Sequence, residues 1–214
     1  GAGAGGVPFK GITLDQVHSA VAHVYGWSGD GPRARIGPAR TVDGFEAGVA
    51  RVLEVATGGG RVAFATSCPA SLFAVHRALA ARAADAGGDV VVVLESATIG
   101  ERGTSATRLR WLDRVAMVTD GRGLLADDAD QRRAAEELLF TVGRPDLVVS
   151  DRMFAGTAVA RGLEVVAFAG LDAVALALAS WRGLAIRVVP LDEQRPPQAY
   201  APLLELLEPA RTAP

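Results

Sequence analysis

Short polar side chains that directly follow a predicted strand are the first candidates for chemistry in this sequence. The run Arg61 to Ala65 (RVAFA) is typical of a buried strand, and the segment TSCPAS, residues 66–71, follows it at the start of a helix. Backbone N–H groups at a helix N-terminus point outward and bind anions. We therefore predict that Thr66, Ser67 and Ser71 bind phosphate, with an ordinary Ser or Thr helix cap as the alternative.

Two aspartates follow other predicted strands. Asp120 comes after the strand-like run Val115 to Val118, and Asp151 comes after Asp146 to Ser150 (DLVVS). Carboxylates that meet at one edge of a parallel sheet can hold a hard divalent cation or share acid and base duties. We predict Asp120 and Asp151 as catalytic residues and as ligands of Mg²⁺. A cap of the following helix is the alternative for each of them.

Further charged and polar residues occupy equivalent positions. Arg152 and Arg195 are predicted to neutralise the charge of a phosphate. Ligands of wound α/β sheets settle outside the carboxyl ends of the strands, so other residues at those ends are also candidates. They are Glu95, Thr119, Asp172 and Asp192.

Several well-known motifs are absent. No GxxxxGK[ST] or GxGxxG follows the first strand, and no DxDx[TV] of a haloacid-dehalogenase phosphatase is found there. A CX5R phosphatase loop starting at Cys68 would need arginine at position 74, which is Ala74. His18, His23 and His76 lack the HxH, HxxxH and HExxH spacings of metal sites, so we predict surface or packing roles for them.

The elements that must position these residues alternate between strand-like and helix-like runs from residue 61 almost to the C-terminus. This alternation predicts an α/β fold, a Rossmann-like three-layer αβα arrangement with a mainly parallel sheet of about five to six strands. The predicted strands are residues 61–65, 89–94, 115–118, 146–150, 164–168 and 186–189. The predicted helices are residues 70–86, 128–140, 154–161, 171–181 and 200–207. We predict a loop over residues 95–107, which lack a regular period. We predict that residues 108–111 form a short strand antiparallel to 115–118.

The N-terminal part of the chain differs in character. Residues 1–12 start with GAGAGG and predict a flexible lead. Residues 13–57 predict an N-terminal helical extension, with helices at Leu14 to Tyr25 and Val42 to Ala56 packed on the core. Residues 58–214 form the predicted α/β part of what we expect to be a single domain.

Composition narrows the function classes. Hydrophobic residues make up 50% of the 214 residues, and the formal net charge is −2. This charge argues against nucleic-acid binding, which needs a strongly basic face. The single cysteine excludes an intrachain disulfide and, with no apolar run of 18 residues, favours a cytoplasmic protein without a membrane span.

Long stretches of the chain resemble a family of actinobacterial proteins described as phosphatases. The resemblance covers roughly residues 40 to 207 and rests on the order of short motifs along the chain. Those motifs are ATS-P, VTDG, RPDLVVSD, AG, LDA and VPLD-RPP-AYAPL. What the resemblance implies is an α/β domain with its site near Ser67, Asp120, Asp151, Asp172 and Asp192.

Two functions follow from these observations. The first is metal-assisted hydrolysis of a phosphomonoester, or binding of a small anionic or phosphorylated metabolite, at the carboxyl ends of the strands. The alternative is a non-catalytic ligand-binding or assembly module such as a homodimer, because no nucleophile or base is identifiable and the helices are rich in alanine. A sugar-phosphate isomerase, with Glu95 as its base, is a third interpretation. Whether the chain is an enzyme stays open at this point.

Overall fold

The structure is a computed structural model, and it describes residues 7, 9–27, 35–93, 97–102, 105–119 and 128–208. Within these residues, none of the helices combines the length and the apolar character needed to span a bilayer.

Two helices open the described chain. Helix α1 is Leu14–Tyr25 and begins with a capping box, in which Thr13 and Gln16 satisfy each other's backbone N–H groups. Gly26, at φ +70°, ends it in the left-handed conformation that glycine adopts without strain. Helix α2 is Pro38–Thr57 and starts with proline, whose missing N–H is not needed there.

The rest of the chain carries the sheet and the helices that cover it. Strands are β1 Arg61–Ala65, β2 Asp89–Val90, β3 Ala97–Arg102, β4 Ser105–Leu112, β5 Val115–Thr119, β6 Leu147–Asp151, β7 Glu164–Ala169 and β8 Ile186–Pro190. Helices are α3 Pro69–Asp85, α4 Asp128–Thr141, α5 Arg152–Ala160, α6 Val174–Trp181 and α7 Ala201–Glu205. A 3-10 helix, Pro197–Tyr200, leads into α7.

The sheet is mostly parallel, with the order β3-β4-β5-β1-β6-β7-β8. Strands β5, β1, β6, β7 and β8 run parallel, whereas β3 and β4 form an antiparallel extension beside β5. The chain moves from β1 to one side as far as β3, returns to β5, and then crosses to β6 on the other side of β1. The strand order therefore reverses between β1 and β6, which is where open α/β sheets bind ligands.

Helices cover both faces of the sheet and complete a three-layer arrangement. Phe64, Val149, Phe168 and Val189 lie in a buried cluster with side chains of α2, α3 and α7. On the opposite face, the sheet packs against α4, α5 and α6. Helix α1 packs on α6 through the cluster that contains Tyr25. Burial of these apolar surfaces is the main force that holds the layers together.

The predicted α/β class and the alternation of strands and helices are confirmed. Every predicted helix is present. Helix α1 has the predicted bounds, and each of the others differs from its prediction at one or both ends. The antiparallel piece at 108–111 is also confirmed, as part of β4. Among the described residues, the sheet has eight strands and not five to six, because β3 and β4 extend it and the two-residue β2 pairs with β1.

Two strand-level predictions were wrong. Residues 95–107 do not form a loop in their described part, because β3 and the start of β4 pair there as antiparallel strands. The strand predicted at 89–94 is only Asp89–Val90. The reason is that β2 and β5 share one edge of β1, and β5 takes the place beside β1 from Phe64 onward.

Candidate functional site

A buried carboxylate joins the ends of the two strands at the reversal of strand order. Asp151, the last residue of β6, is fully buried. Thr66 donates its hydroxyl to Asp151 Oδ2 at 2.5 Å, and the backbone N–H of Ser67 donates to Oδ1 at 2.6 Å. Thr66 Oγ1 in turn accepts from the N–H of Cys68 at 3.0 Å. Asp151 thereby fixes the turn that leads from β1 into α3.

This arrangement brings together three predicted site residues. Asp151 makes no side-chain cap bond to α5, so the helix-cap alternative does not apply to it. Thr66 and Ser67 are buried at the start of α3, and the hydroxyl of Ser67 has no hydrogen-bond partner. Ser71 lies half-buried in the first turn of α3, where its N–H donates to the carbonyl of Cys68 at 3.0 Å.

His76 lies beside this carboxylate, a position that the sequence did not reveal. Its ring is fully buried on α3 and packs edge-on against Phe168, with centroids 5.0 Å apart. Its Nε2 atom is 3.5 Å from Asp151 Oδ2. The packing role predicted for His76 agrees with this contact with Phe168.

Arg152 connects the strand reversal to the neighbouring strand ends. Its backbone has φ +39°, a left-handed conformation that costs a non-glycine residue of the order of 1 kcal/mol. Its guanidinium contacts two carboxylates: Nη2 is 3.1 Å from Asp172 Oδ2, and Nε is 3.0 Å from Glu193 Oε1. The side chain therefore bridges the loops that follow β7 and β8.

Glu193 is the charged residue that sequence reasoning missed. It is 1% exposed, and its pKa is raised to about 7 by burial and by the negative charge of Asp172, against the opposing effect of Arg152. The contact with Arg152 is an ion pair without hydrogen-bond geometry, so Glu193 Oε1 has no hydrogen-bond partner. The available signal was a spacing of two that continues from β8 into the following loop: Val189, Leu191 and Glu193 are buried, whereas Asp192 is exposed.

Gly170 explains how Glu193 fits. A Cβ atom at this position would lie 2.5 Å from Glu193 Oε2 and 3.0 Å from Asp172 Oδ1. Tyr25 of α1 donates its hydroxyl to the carbonyl of Gly170 at 2.7 Å. Burial, together with the charges of Glu193 and Asp172, raises the pKa of Tyr25, so the phenol stays a hydrogen-bond donor.

A pocket of about 960 Å³ opens beside these residues. Its floor is built from the loops after β7 and β8, and its sides from the start of α2 and from the 3-10 helix with α7. Residues that line it include Arg152, Asp172, Glu193, Val42 and Tyr200. This size and this mixture of apolar walls with a few charged groups are typical of sites for small organic ligands.

Two further predicted residues lie on the pocket wall as a pair. Arg195 Nε is 2.8 Å from Asp192 Oδ2, and both side chains are more than half exposed. The hydroxyl of Tyr200 holds their loop by donating to the carbonyl of Asp192 and accepting from the N–H of Arg195. Because the pair is exposed, its ion-pair energy is small, of the order of 0–1 kcal/mol.

The remaining predicted residues divide into two groups. Thr119 is buried at the end of β5. Asp120 and Glu95 lie outside the described residues, so their predicted roles stay predictions. Within the described ranges, no group of three His, Cys, Asp or Glu side chains is arranged to hold a metal ion. Only one of the two predicted Mg²⁺ ligands, Asp151, lies among the described residues, so these residues do not by themselves form the predicted Mg²⁺ site.

Cys68 is poorly suited to act as a nucleophile. It is half-buried at the cap position of α3, without a side-chain cap bond. Burial raises its pKa to about 12, an effect increased by the charge of Asp151 and opposed by Arg152. The side chain is therefore a thiol at neutral pH, whereas thiolate is the reactive form.

The fold and the site define a class of protein: a three-layer α/β protein with a pocket at the carboxyl edge of its sheet, next to an arginine paired with two carboxylates. Comparison with known proteins specifies the family. Residues 27–213 match the sequence model of the family described as Phosphatase, and the chain belongs to that family.

A named relative supports this assignment. The chain is 34% identical over 187 residues to Phosphatase SCO2771 of Streptomyces coelicolor, a match that covers 83% of this chain and 70% of the relative. This agrees with the actinobacterial phosphatase resemblance of the sequence motifs. No solved structure matches the chain significantly.

Proposed function

We propose that this protein hydrolyses phosphomonoesters in the pocket beside Arg152. The observation that carries the proposal is the position of the Arg152 guanidinium, which lines the pocket at the reversal of strand order while bridging Asp172 and Glu193. Arginine binds phosphate oxygens through two parallel N–H donors. Membership of the Phosphatase family supports a phosphorylated substrate.

Phosphate binding is assigned to Arg152 and the neighbouring start of α3. Asp172 is 56% exposed at its side chain, so a phosphate can compete with it for the guanidinium at little cost. Thr66, Ser67 and Ser71 stay our predicted ligands at the α3 N-terminus, and Arg195 stays a predicted second cation. In this proposal Asp151 holds Thr66 and Ser67 in place and so acts on the phosphate through them.

Glu193 is the acid–base group of the proposed reaction. A water oxygen attacks phosphorus and gives one proton to the Glu193 carboxylate, and the P–O bond to the organic group breaks. The same proton then passes to the departing alkoxide, so that an alcohol and inorganic phosphate are the products. A pKa of about 7 suits this exchange, because both protonation states are populated near neutral pH.

We keep Mg²⁺ in the proposal, with Asp120 and Asp151 as its predicted ligands. A divalent cation would supply charge neutralisation to the phosphoryl oxygens. Since the described residues do not by themselves form a cation site, the contribution of Asp120 decides this point. Activity after treatment with EDTA, and after adding Mg²⁺ back, measures it directly.

The test of the function compares two arginine variants. We expect the wild-type protein to release phosphate from 1-naphthyl phosphate, and Arg152→Gln to reduce kcat/KM about 100-fold through loss of the charged donor pair. Arg187→Gln is the matched control, because Arg187 pairs with Glu164 at the opposite end of β8. It should stay within twofold of wild type.

Two results would contradict the proposal. One is absence of turnover by the folded wild-type protein for every phosphomonoester tested, with and without Mg²⁺. The other is an Arg152→Gln protein that is as active as the Arg187→Gln control. Circular dichroism of all three proteins separates a loss of activity from a loss of folding.

A further inference from the structure

The pocket combines a charged floor with two apolar walls. Arg152 contacts both Asp172 and Glu193 at the strand ends, and the three side chains form the charged floor. The walls come from the segment that leads into α2 and from the 3-10 helix with α7. Beside the polar residues Arg35, Thr41, Gln194 and Arg195, the pocket lining includes several apolar side chains from these segments. These are Ile36, Pro38, Val42, Tyr200, Pro202 and Leu203.

One wall is hydrogen-bonded to the last residue of β8, and the other to the loop that follows β8. Thr41, in the first turn of α2, donates its hydroxyl to the carbonyl of Pro190 at 2.5 Å. On the other side, the hydroxyl of Tyr200 donates to the carbonyl of Asp192 at 2.5 Å. The walls therefore keep their separation without a ligand, and a preformed site binds with less loss of entropy.

The size of the pocket exceeds what a phosphate group needs. Its volume of about 960 Å³ lies near the upper end of the range, roughly 300–1,000 Å³, of pockets that hold drug-sized ligands. A phosphate on Arg152 would leave most of this space to the organic part of the substrate. Hydroxyl groups placed against Ile36, Pro38 and Val42 would lose water without gaining hydrogen-bond partners from these side chains.

We propose that the pocket selects phosphomonoesters whose alcohol part is large and apolar, such as an aromatic ring system, over esters of small polyols and sugars. The phosphate meets Arg152 at the floor, and the apolar group lies between the two walls. Val42, a 38% exposed apolar side chain at the start of α2, then contributes directly to selectivity. This inference deepens the proposed function and rests on it for turnover.

The kinetic test uses two valines of similar exposure. Val42 lines the pocket, whereas Val92 is 41% exposed after β2 and does not line it. We expect the wild type to hydrolyse 1-naphthyl phosphate with a kcat/KM at least about tenfold above that for glycerol phosphate. Val42→Asn should remove most of this preference by raising KM for the naphthyl ester much more than KM for glycerol phosphate. Val92→Asn should keep the preference.

A binding measurement separates this inference from the proposed function. Titration calorimetry compares 1-naphthylmethylphosphonate with methylphosphonate, neither of which can be hydrolysed at its P–C bond. Tighter binding of the naphthyl compound with a negative heat-capacity change, weakened by Val42→Asn but not by Val92→Asn, supports the apolar pocket even in a protein that turns over no ester. Equal affinities, or equal kcat/KM values for the two esters in an active enzyme, would overturn the inference and leave the phosphatase proposal standing.

Discussion

Two carboxylate sites at the same edge of the sheet differ in how their charges are satisfied. Asp151 is fully buried, and its two oxygens accept short hydrogen bonds from Thr66 and Ser67. Glu193 is equally buried, but one of its oxygens only contacts Arg152 and has no hydrogen-bond partner. We call Asp151 the saturated site, because each of its oxygens has a protein hydrogen-bond donor, and Glu193 the unsaturated site, because its Oε1 atom has none.

This difference suggests a structural role for Asp151 and a chemical role for Glu193. Asp151 accepts a buried hydrogen bond on each of its oxygens and thereby holds the ends of β1 and β6 together. Glu193 is buried and lacks a hydrogen-bond donor on Oε1, and burial raises its pKa to about 7. A pKa near neutral pH suits proton transfer. These arrangements suit Asp151 to structural support and Glu193 to the proposed proton transfer.

The largest expected effect comes from breaking the saturated site. Asp151→Ala would leave the hydroxyl of Thr66 and the N–H of Ser67 without their acceptor in a buried place. We expect a loss of about 3 kcal/mol in the free energy of unfolding, together with loss of activity. Asp172→Ala, which removes an exposed carboxylate, should cost less than about 1 kcal/mol.

Urea denaturation of both aspartate variants measures this contrast. If Asp151→Ala were as stable as Asp172→Ala, the view of Asp151 as a structural link would be wrong. If Asp151→Ala kept both its activity and its binding of Mg²⁺, the catalytic and metal-binding roles predicted for it would be wrong as well.

The second effect is a pH dependence of stability that depends on Glu193. Its pKa is 4.5 in the unfolded chain and about 7 in the folded protein, so between these values the folded state binds more protons. The free energy of unfolding should therefore fall as pH rises from 4.5 to about 7, by at most about 3 kcal/mol. Glu193→Gln stays neutral and should remove this fall.

Unfolding measured from pH 4.5 to 8 checks the sign as well as the size of the effect. Glu208→Gln is the control, because this exposed residue near the C-terminal end should leave the wild-type profile unchanged. Identical profiles for wild type and Glu193→Gln would contradict the raised pKa. In activity assays, Glu193→Gln should also lower kcat more than it changes KM.

The sequence predicted the positions that follow from backbone periodicity. Alternation of strands and helices placed Thr66 and Asp151 at the same edge of the sheet, and the structure shows that their strands are neighbours and their side chains are in contact. The same argument placed Arg152 and Asp172 at one edge, where they form an ion pair. These outcomes depend only on the rule that parallel strands end on the same side of a sheet.

Other features depended on tertiary packing and escaped the sequence. The pairing of β3 with the start of β4 was missed, because residues 95–107 carry Gly, Ser and Thr without a regular period and the pairing is seen only in the structure. In the sequence, Glu193 looks like an ordinary loop carboxylate, and its burial follows only if the spacing of two in β8 continues past Leu191. The Glu193 side chain also needs the space left by Gly170, which follows β7. The sequence alone does not show that these two residues are in contact.

A smaller effect is expected from filling the space that Glu193 occupies. In Gly170→Ala, the new Cβ would displace the buried carboxylate and weaken its contact with Arg152. We expect a loss of about 1–2 kcal/mol in stability from this overpacking, and a clear loss of activity. Gly58→Ala is the control, since its Cβ would meet only ordinary contacts at 3.5 Å. Thermal unfolding and phosphate release that match the control would show that Glu193 needs no such space.

The smallest effect should come from the link between α1 and the site. Tyr25→Phe removes one buried hydrogen bond to the carbonyl of Gly170 and keeps the ring that packs against α6. Because the neighbouring Glu193 and Asp172 are held mainly by Arg152, we expect a loss of about 1 kcal/mol in stability and less than a twofold change in kcat/KM. Denaturant unfolding combined with steady-state kinetics measures both. A tenfold loss of activity at unchanged stability would mean that the Gly170 loop depends on α1 for its catalytic position, and the unsaturated site would then extend beyond the pocket floor to the N-terminal helix.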